Sequence, residues 1–428
     1  MLTLATLGLL GVLLGIGAPV AFAMLVTGTV GLYTIGGLPM VLGILQTAPL
    51  STVSSYELIS VPMFILMAEF VIVSGIADSL FLAAAAWVGR LPGGLAMATA
   101  LAGAGFGAIS GSSTASAATL SATSIPAMLR QGYEPRLACG VVAISGTLAM
   151  LIPPSVALII YGLIADVSIG HLLIGGVLPG ILVTAAIMLT ILALVWQDPA
   201  RAPPGERLSL REKFVALRVV GPMLILLMAV TGIIYTGVAT PTEAAGIGAF
   251  GAFVLALRSG RLNRNALAHA LKRAAHATCM ILMIIMGAHV FGYFFTFTQT
   301  TQDLVRWVAD LGLSPYLVIA LLIVGYLVLG CLMDQIAILI LTVPVVLPLV
   351  VSLGFDPVWF GVLVIVTAEV GMVTPPVGLN VFVVARYARR PLGEIFAGIW
   401  PHVFAHLIVI ALLVAFPQIV LWLPSHMQ

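Results

Sequence analysis

The chain has 428 residues, of which 61% are hydrophobic and only 7% charged, with mean hydropathy +1.22. A soluble domain needs several times that share of charge, so soluble enzymes are excluded, and the net charge of +2 gives no reason to expect a nucleic-acid partner. Long continuous apolar runs, instead of ten-residue alternation, exclude a β-barrel and leave an all-α polytopic membrane protein in contact with membrane lipid.

Residues 2–17 and 20–36 read as two apolar helices joined by a Gly-Ala-Pro turn. The first has neither a basic leader nor a small-residue cleavage site and is expected to stay as a span. Residues 38–55, with Pro39, Pro49 and a Ser/Thr cluster, are expected to lie flat at the interface. Residues 58–74 span, and 77–90 form a second interfacial helix. Two arms, 94–109 and 115–129, then flank Ser110-Gly111-Ser112-Ser113-Thr114. Each arm is about 24 Å long at 1.5 Å per residue, short of the roughly 30 Å hydrocarbon core. Segment 92–131 is therefore expected to be a re-entrant hairpin. Residues 135–165 form a helix broken near Pro153-Pro154, and 171–196 close the unit. A polar cytoplasmic linker is expected at 197–218.

The second half repeats this plan. Pro153 recurs as Pro375, 222 positions on, and the same offset relates Pro19 to Pro241, Pro126 to Pro348, Gly132 to Gly354, Pro135 to Pro357 and Pro179 to Pro401. Helices are expected at 219–236 and 242–257, then a basic interfacial stretch at 258–273 and a span at 277–297. A hairpin at 315–351 has its tip at 330–335, a broken helix covers 357–387, and 392–423 end the chain. Prolines inside apolar helices free carbonyls that must line protein or a wet cavity. The expected domains are thus an inverted repeat at 1–196, the linker, and a second repeat at 219–428. Five spans plus one hairpin per copy turn the second copy upside down, the plan of secondary transporters. With the N-terminus and the C-terminus both periplasmic, 16 of the 17 basic residues fall on the cytoplasmic side, leaving only Arg306 outside.

Two hairpin tips and two helix breaks converge in this reading. The first group is Ser110, Ser112, Ser113, Thr114 and Ser116 with Ser145, Thr147 and the carbonyls before Pro153. The second is Asp334 and Gln335 with Glu369, Thr374 and Asn380. Hydroxyls, carboxylates and unwound carbonyls are ligands for a hard cation such as Na⁺, and helix N-termini suit a carboxylate. Glu369 could equally brace its helix, Glu69 has no visible basic partner, and His289 reads as a hydrogen-bonded packing residue. The remaining histidines read as interfacial. Cys139, Cys279 and Cys331 read as small buried hydrophobes, with no disulfide or transition-metal site. An intramembrane protease would need a serine–histidine or paired-aspartate centre. Ser110 with His289 is the sole candidate and lacks a nucleophile motif.

The stretches Gly111–Ser116, Ala118–Leu120, Leu151–Ser155, Met333–Asp334, Leu341–Pro344 and Gly371–Asn380 resemble the DctM-type large membrane subunit of tripartite ATP-independent periplasmic (TRAP) transporters. The resemblance covers essentially the whole chain. It implies an elevator-type carrier of an organic acid (a C4-dicarboxylate, sialic acid or similar carboxylate), driven by Na⁺ in the bacterial inner membrane, with no enzymatic activity and no other cofactor. A small four-helix membrane subunit on a separate chain and a periplasmic substrate-binding protein are the implied partners. Carried over, cation binding falls on Ser112, Ser113, Thr114, Ser145 and Pro153, and on Asp334, Gln335, Gly371, Thr374 and Asn380. Substrate contacts are expected from Ser110, Ser112, Ser116, Ser155 and Thr374. The alternative is a Na⁺-coupled organic-anion carrier that needs no binding protein.

Overall fold

The computed structural model describes residues 2–205 and 209–427, without the side chains of Ala77 and Asp78. Among them there is no strand. The first half runs through α1 (Leu2–Gly15), α2 (Val20–Val53), α3 (Ser60–Ser74), α4 (Ile76–Val88), α5 (Gly94–Ser110), α6 (Ser113–Arg130), α7 (Pro135–Gly146), α8 (Val156–Ala165), α9 (Ile169–Gly175) and α10 (Val177–Gln197). The second continues with α11 (Leu210–Tyr235), α12 (Pro241–Arg258), α13 (Arg264–Phe297), α14 (Thr300–Asp310), α15 (Pro315–Leu332), α16 (Gln335–Ser352), α17 (Pro357–Gly371), α18 (Leu379–Ala388), α19 (Leu392–Ala415) and α20 (Gln418–Leu421). Among the described residues, eight helices are long and apolar enough to cross a membrane, and seven shorter apolar helices accompany them.

The sequence repeat reappears as a repeat of structure. Helices α6 and α16 begin and end at positions related by the same offset, and α7 and α17 both start on the repeated proline. Gly132 and Gly354, after the two hairpins, take φ of 87° and 86°, a left-handed backbone that side-chain-bearing residues rarely adopt. Both repeated Pro-Pro bonds are cis.

Several boundaries differ from the sequence reading. The linker is shorter than 197–218, because Ser209 and Glu212 form a capping box that starts α11 at Leu210. Residues 206–208 of that linker lie outside the described residues. The segment 38–53 is helical but separated from 20–36 at Gly37, whose φ of 65° interrupts α2. Its counterpart 264–275 is instead continuous with the following span in the 34-residue α13. No proline or glycine occurs between Arg264 and Met286, so nothing breaks the ladder there. Helix α14, absent from the sequence reading, packs on the second hairpin through Val308. The last segment leaves helical geometry at Phe416-Pro417, well before residue 423. The second tip is also tighter than 330–335, since α15 runs through Leu332 and only Met333 and Asp334 are non-helical.

Packing divides the chain into two sets of helices, each mixing both halves. In one, α2 lies along α13 and α3 along α12, and the two pairs exchange under the repeat. Small residues permit the contact: a Cβ on Gly28 would sit 2.9 Å from Phe291 Cα, and one on Gly287 2.6 Å from the Ala21 carbonyl. This set is called the frame below. In the other, α5, α6 and α7 pack together, α15 packs on α17, α7 on α19, α6 on α18 and α16 on α8. Each hairpin therefore touches the broken helix of its own half and that of the other.

Candidate functional site

At the first tip, Gly111 closes α5 in the left-handed region (φ 54°) and Ser112 caps α6, its hydroxyl accepting from Ala115 N–H at 3.4 Å. Ser110 and Ser116 share a hydrogen bond of 2.8 Å, and Ser112 and Thr114 one of 3.3 Å. The tip docks tightly on the first broken helix. A Cβ on Gly107 would lie 2.6 Å from Ala149 Cα, and one on Gly103 2.7 Å from the Ser145 carbonyl. Ser145 is buried and its hydroxyl has no partner. Beyond the break, Ser155 caps α8: its hydroxyl donates to the Met150 carbonyl and accepts from Leu158 N–H at 3.3 Å.

At the second tip Asp334 is exposed and caps α16, Oδ2 accepting from Ile336 N–H at 3.1 Å. Gln335 is buried; its amide donates to the Ile365 carbonyl at 3.3 Å while Oε1 has no partner. Gly330 and Gly371 bring tip and break together, since a Cβ on Gly371 would lie 2.6 Å from Gly330 Cα. Thr374 donates to the Gly371 carbonyl at 2.9 Å and lies 3.0 Å from Cys331 Sγ.

The two groups are joined where the sequence kept them apart. Ser113 donates to Glu369 Oε2 at 2.8 Å and accepts from Asn380 Nδ2 at 2.7 Å. All three side chains are buried, with Glu369 3% exposed. Glu369 Oε1 and Asn380 Oδ1 have no partner. A single hydroxyl of the first tip thus reaches both halves of the second broken helix.

The family described as tripartite ATP-independent periplasmic transporter, DctM component, matches residues 7–419. The chain belongs to the DctM family. It is 34% identical to the C4-dicarboxylate TRAP transporter large permease protein DctM of Pseudomonas aeruginosa, over 87% of each chain. It is 31% identical to the sialic acid TRAP transporter large permease protein SiaM of Vibrio cholerae, over 88% of each. In fold it is similar to the Alcanivorax borkumensis YdaH transporter, with TM-score 0.64 and 16% identity over 88% of this chain and 89% of that one. As a DctM chain it is a multi-pass membrane component of a tripartite transporter, whose partners are a small membrane subunit and a periplasmic binding protein, and its relatives are permeases.

In this DctM chain the predicted site residues fall on the tips and breaks, but some neighbours correct the sequence reading. Glu69 has a basic partner after all: Arg273 Nε and Nη2 reach Glu69 Oε2 at 2.7 and 2.5 Å, tying α3 to α13 within the frame. Two hundred residues of separation hid that pair. His402 and His406, read as interfacial, are buried in the middle of α19. The i,i+4 spacing on one helix face was the signal available. Cys279 is exposed on α13, while Cys139 and Cys331 are buried. His289 bonds Thr52 at 2.9 Å, as a packing residue should, so Ser110 and His289 form no protease pair. Pro153 also lines an apolar crevice of about 760 Å³ between α5 and α11, with Leu101, Ala108, Ile181, Leu227 and Met228 on its walls.

Proposed function

We propose that the chain is the translocation subunit of a Na⁺-driven, binding-protein-dependent importer of an organic acid. The observation that carries this is the meeting of two hairpin tips and two helix breaks inside one packed set of helices. The frame contributes none of those groups.

Oxygen donors dominate both clusters, which suits Na⁺, a hard cation. The N-termini of α6 and α8, capped by Ser112 and Ser155, offer positive dipole ends for a substrate carboxylate. The first cation site then draws on Ser112, Ser113, Thr114, Ser145 and Pro153, and the second on Asp334, Gln335, Gly371, Thr374 and Asn380. Transport proceeds as the hairpins and broken helices move together against α2, α3, α12 and α13. Inverted halves supply two end states by exchanging conformations. Both termini face the periplasm, where the binding protein delivers substrate, and the frame's apolar outer faces receive the small subunit.

Uptake into proteoliposomes, with and without an inward Na⁺ gradient and a loaded binding protein, tests this reading. Uptake is expected only when both are present. Uptake without the binding protein would favour a stand-alone Na⁺-coupled anion carrier. Helix α11 packs on α12 of the frame, so cross-linking Leu101→Cys to Leu227→Cys across the crevice should stop uptake reversibly; undiminished uptake with the link formed would refute motion between module and frame.

A further inference from the structure

The two breaks share one sequence pattern but are braced by different means. At the first, Ser155 closes the gap from within, bonding Met150 before the prolines and Leu158 after them. The offset of 222 places Val377 at the equivalent position of the second break, and valine has no hydroxyl to offer. There a backbone hydrogen bond, from Asn380 N–H to the Met372 carbonyl at 3.3 Å, spans the gap, and a second tie comes from the other half of the chain: Ser113 reaches Glu369 in the last turn of α17 and Asn380 in the first turn of α18. The mirror-related bridge does not exist. Gln335, the counterpart of Ser113, bonds Ile365 in its own half, and Thr147, the counterpart of Glu369, bonds Ile144 one turn back.

We propose that Glu369 is a positioning residue that ties the first hairpin tip, through Ser113, to α17 while Asn380 ties it to α18, so that occupancy of one cation cluster is felt at the other. Ser112 and Thr114 flank Ser113, and Thr374 lies between Glu369 and Asn380 in the chain. Moving the tip therefore moves the groups assigned to both clusters. The proposal rests on the Na⁺ reading above for its transport readout. The hydrogen bond, not the negative charge, does the positioning.

The test uses the complete transporter in proteoliposomes with Glu369→Leu and Glu369→Gln. Glu369→Leu is expected to raise the half-saturating Na⁺ concentration about tenfold and to flatten the Na⁺ activation curve, as loss of a buried hydrogen-bond partner should. Glu369→Gln, which keeps an acceptor for Ser113, should stay within about twofold of wild type. Glutamine as damaging as leucine would overturn the proposal in favour of a direct charged ligand, and an unchanged curve in Glu369→Leu would overturn it outright. Wild-type uptake that ignores Na⁺ would refute the transport reading instead. The bridge is then read from Na⁺-free thermal midpoints in detergent: a midpoint lowered by leucine and kept by glutamine supports it, and an unmoved midpoint overturns it.

Discussion

Around the first break, Pro153, Pro154 and Ser155 are buried, and the facing tip is a run of hydroxyls bonded to one another. Around the second, Pro375 and Pro376 are exposed, and the facing tip carries the exposed carboxylate of Asp334. One repeating pattern has thus been given buried, polar surroundings in one half and exposed, charged ones in the other. Local sequence repeats set where a helix breaks, and the residues around the break set its environment.

Close backbone contact between tip and break is common to both halves, and disrupting it should have the largest effect. Gly330→Val places side-chain carbons where a Cβ already falls 2.4 Å from the Ala368 carbonyl, and backbone cannot yield as a flexible side chain can. Loss of uptake and destabilisation by about 3 kcal/mol are expected, read as the thermal midpoint and initial rate. Gly107→Val, at the first tip, should behave alike; a tolerant Gly107 would mean that only the second tip seats by close approach.

Ser155→Ala separates the two breaks more sharply. It strips partners from the Met150 carbonyl and the Leu158 N–H in a buried site, at an expected cost of about 2 kcal/mol. The matched change Val377→Ala removes no hydrogen bond and should cost less. Equal losses in chemical denaturation would show that Ser155 does not brace its break.

Asp334→Asn tests the charge of the open half. Asparagine caps a helix about as well as aspartate, so stability should change by less than about 0.5 kcal/mol. On the proposed reading of Asp334 as a charged oxygen ligand, the half-saturating Na⁺ concentration should rise severalfold. Ser112→Ala, at the related position, should alter Na⁺ activation less, since only a neutral ligand disappears. An unchanged Na⁺ curve in Asp334→Asn would make Asp334 a capping residue and nothing more.

The smallest effect is expected at the base of the first hairpin, where the linker is stitched on. Glu134 N–H donates to the Arg201 carbonyl at 2.8 Å, and the two side chains pair at 3.5 Å. Both are about one-third exposed, so Glu134→Gln should cost no more than about 0.5 kcal/mol. A larger drop would assign the linker a part in holding the hairpin that its second counterpart lacks.

Much of the site was legible because it is written in local terms. Prolines, glycines and capping serines act on their own few residues, so the breaks at Pro153 and Pro375 and the turns at Gly111 and Gly132 followed from the sequence. The first hairpin's arms were placed to within a residue or two for the same reason. The basic stretch at 258–273 reads from its charge as interfacial, and from Arg264 the uninterrupted helix ladder makes it continuous with the following span.

The sequence by itself determined an all-helical membrane chain, its repeat, its breaks and the kinds of polar group gathered beside them. Tertiary structure alone decided which of those groups meet. Ser113 finds Glu369 across 256 positions and Asn380 across 267, and Glu69 finds Arg273 across 204. Such pairings leave no periodic mark, since they depend on how whole helices cross and on which glycines let them approach. The bridge from one half of the chain to the other therefore emerges only when the two halves are packed together.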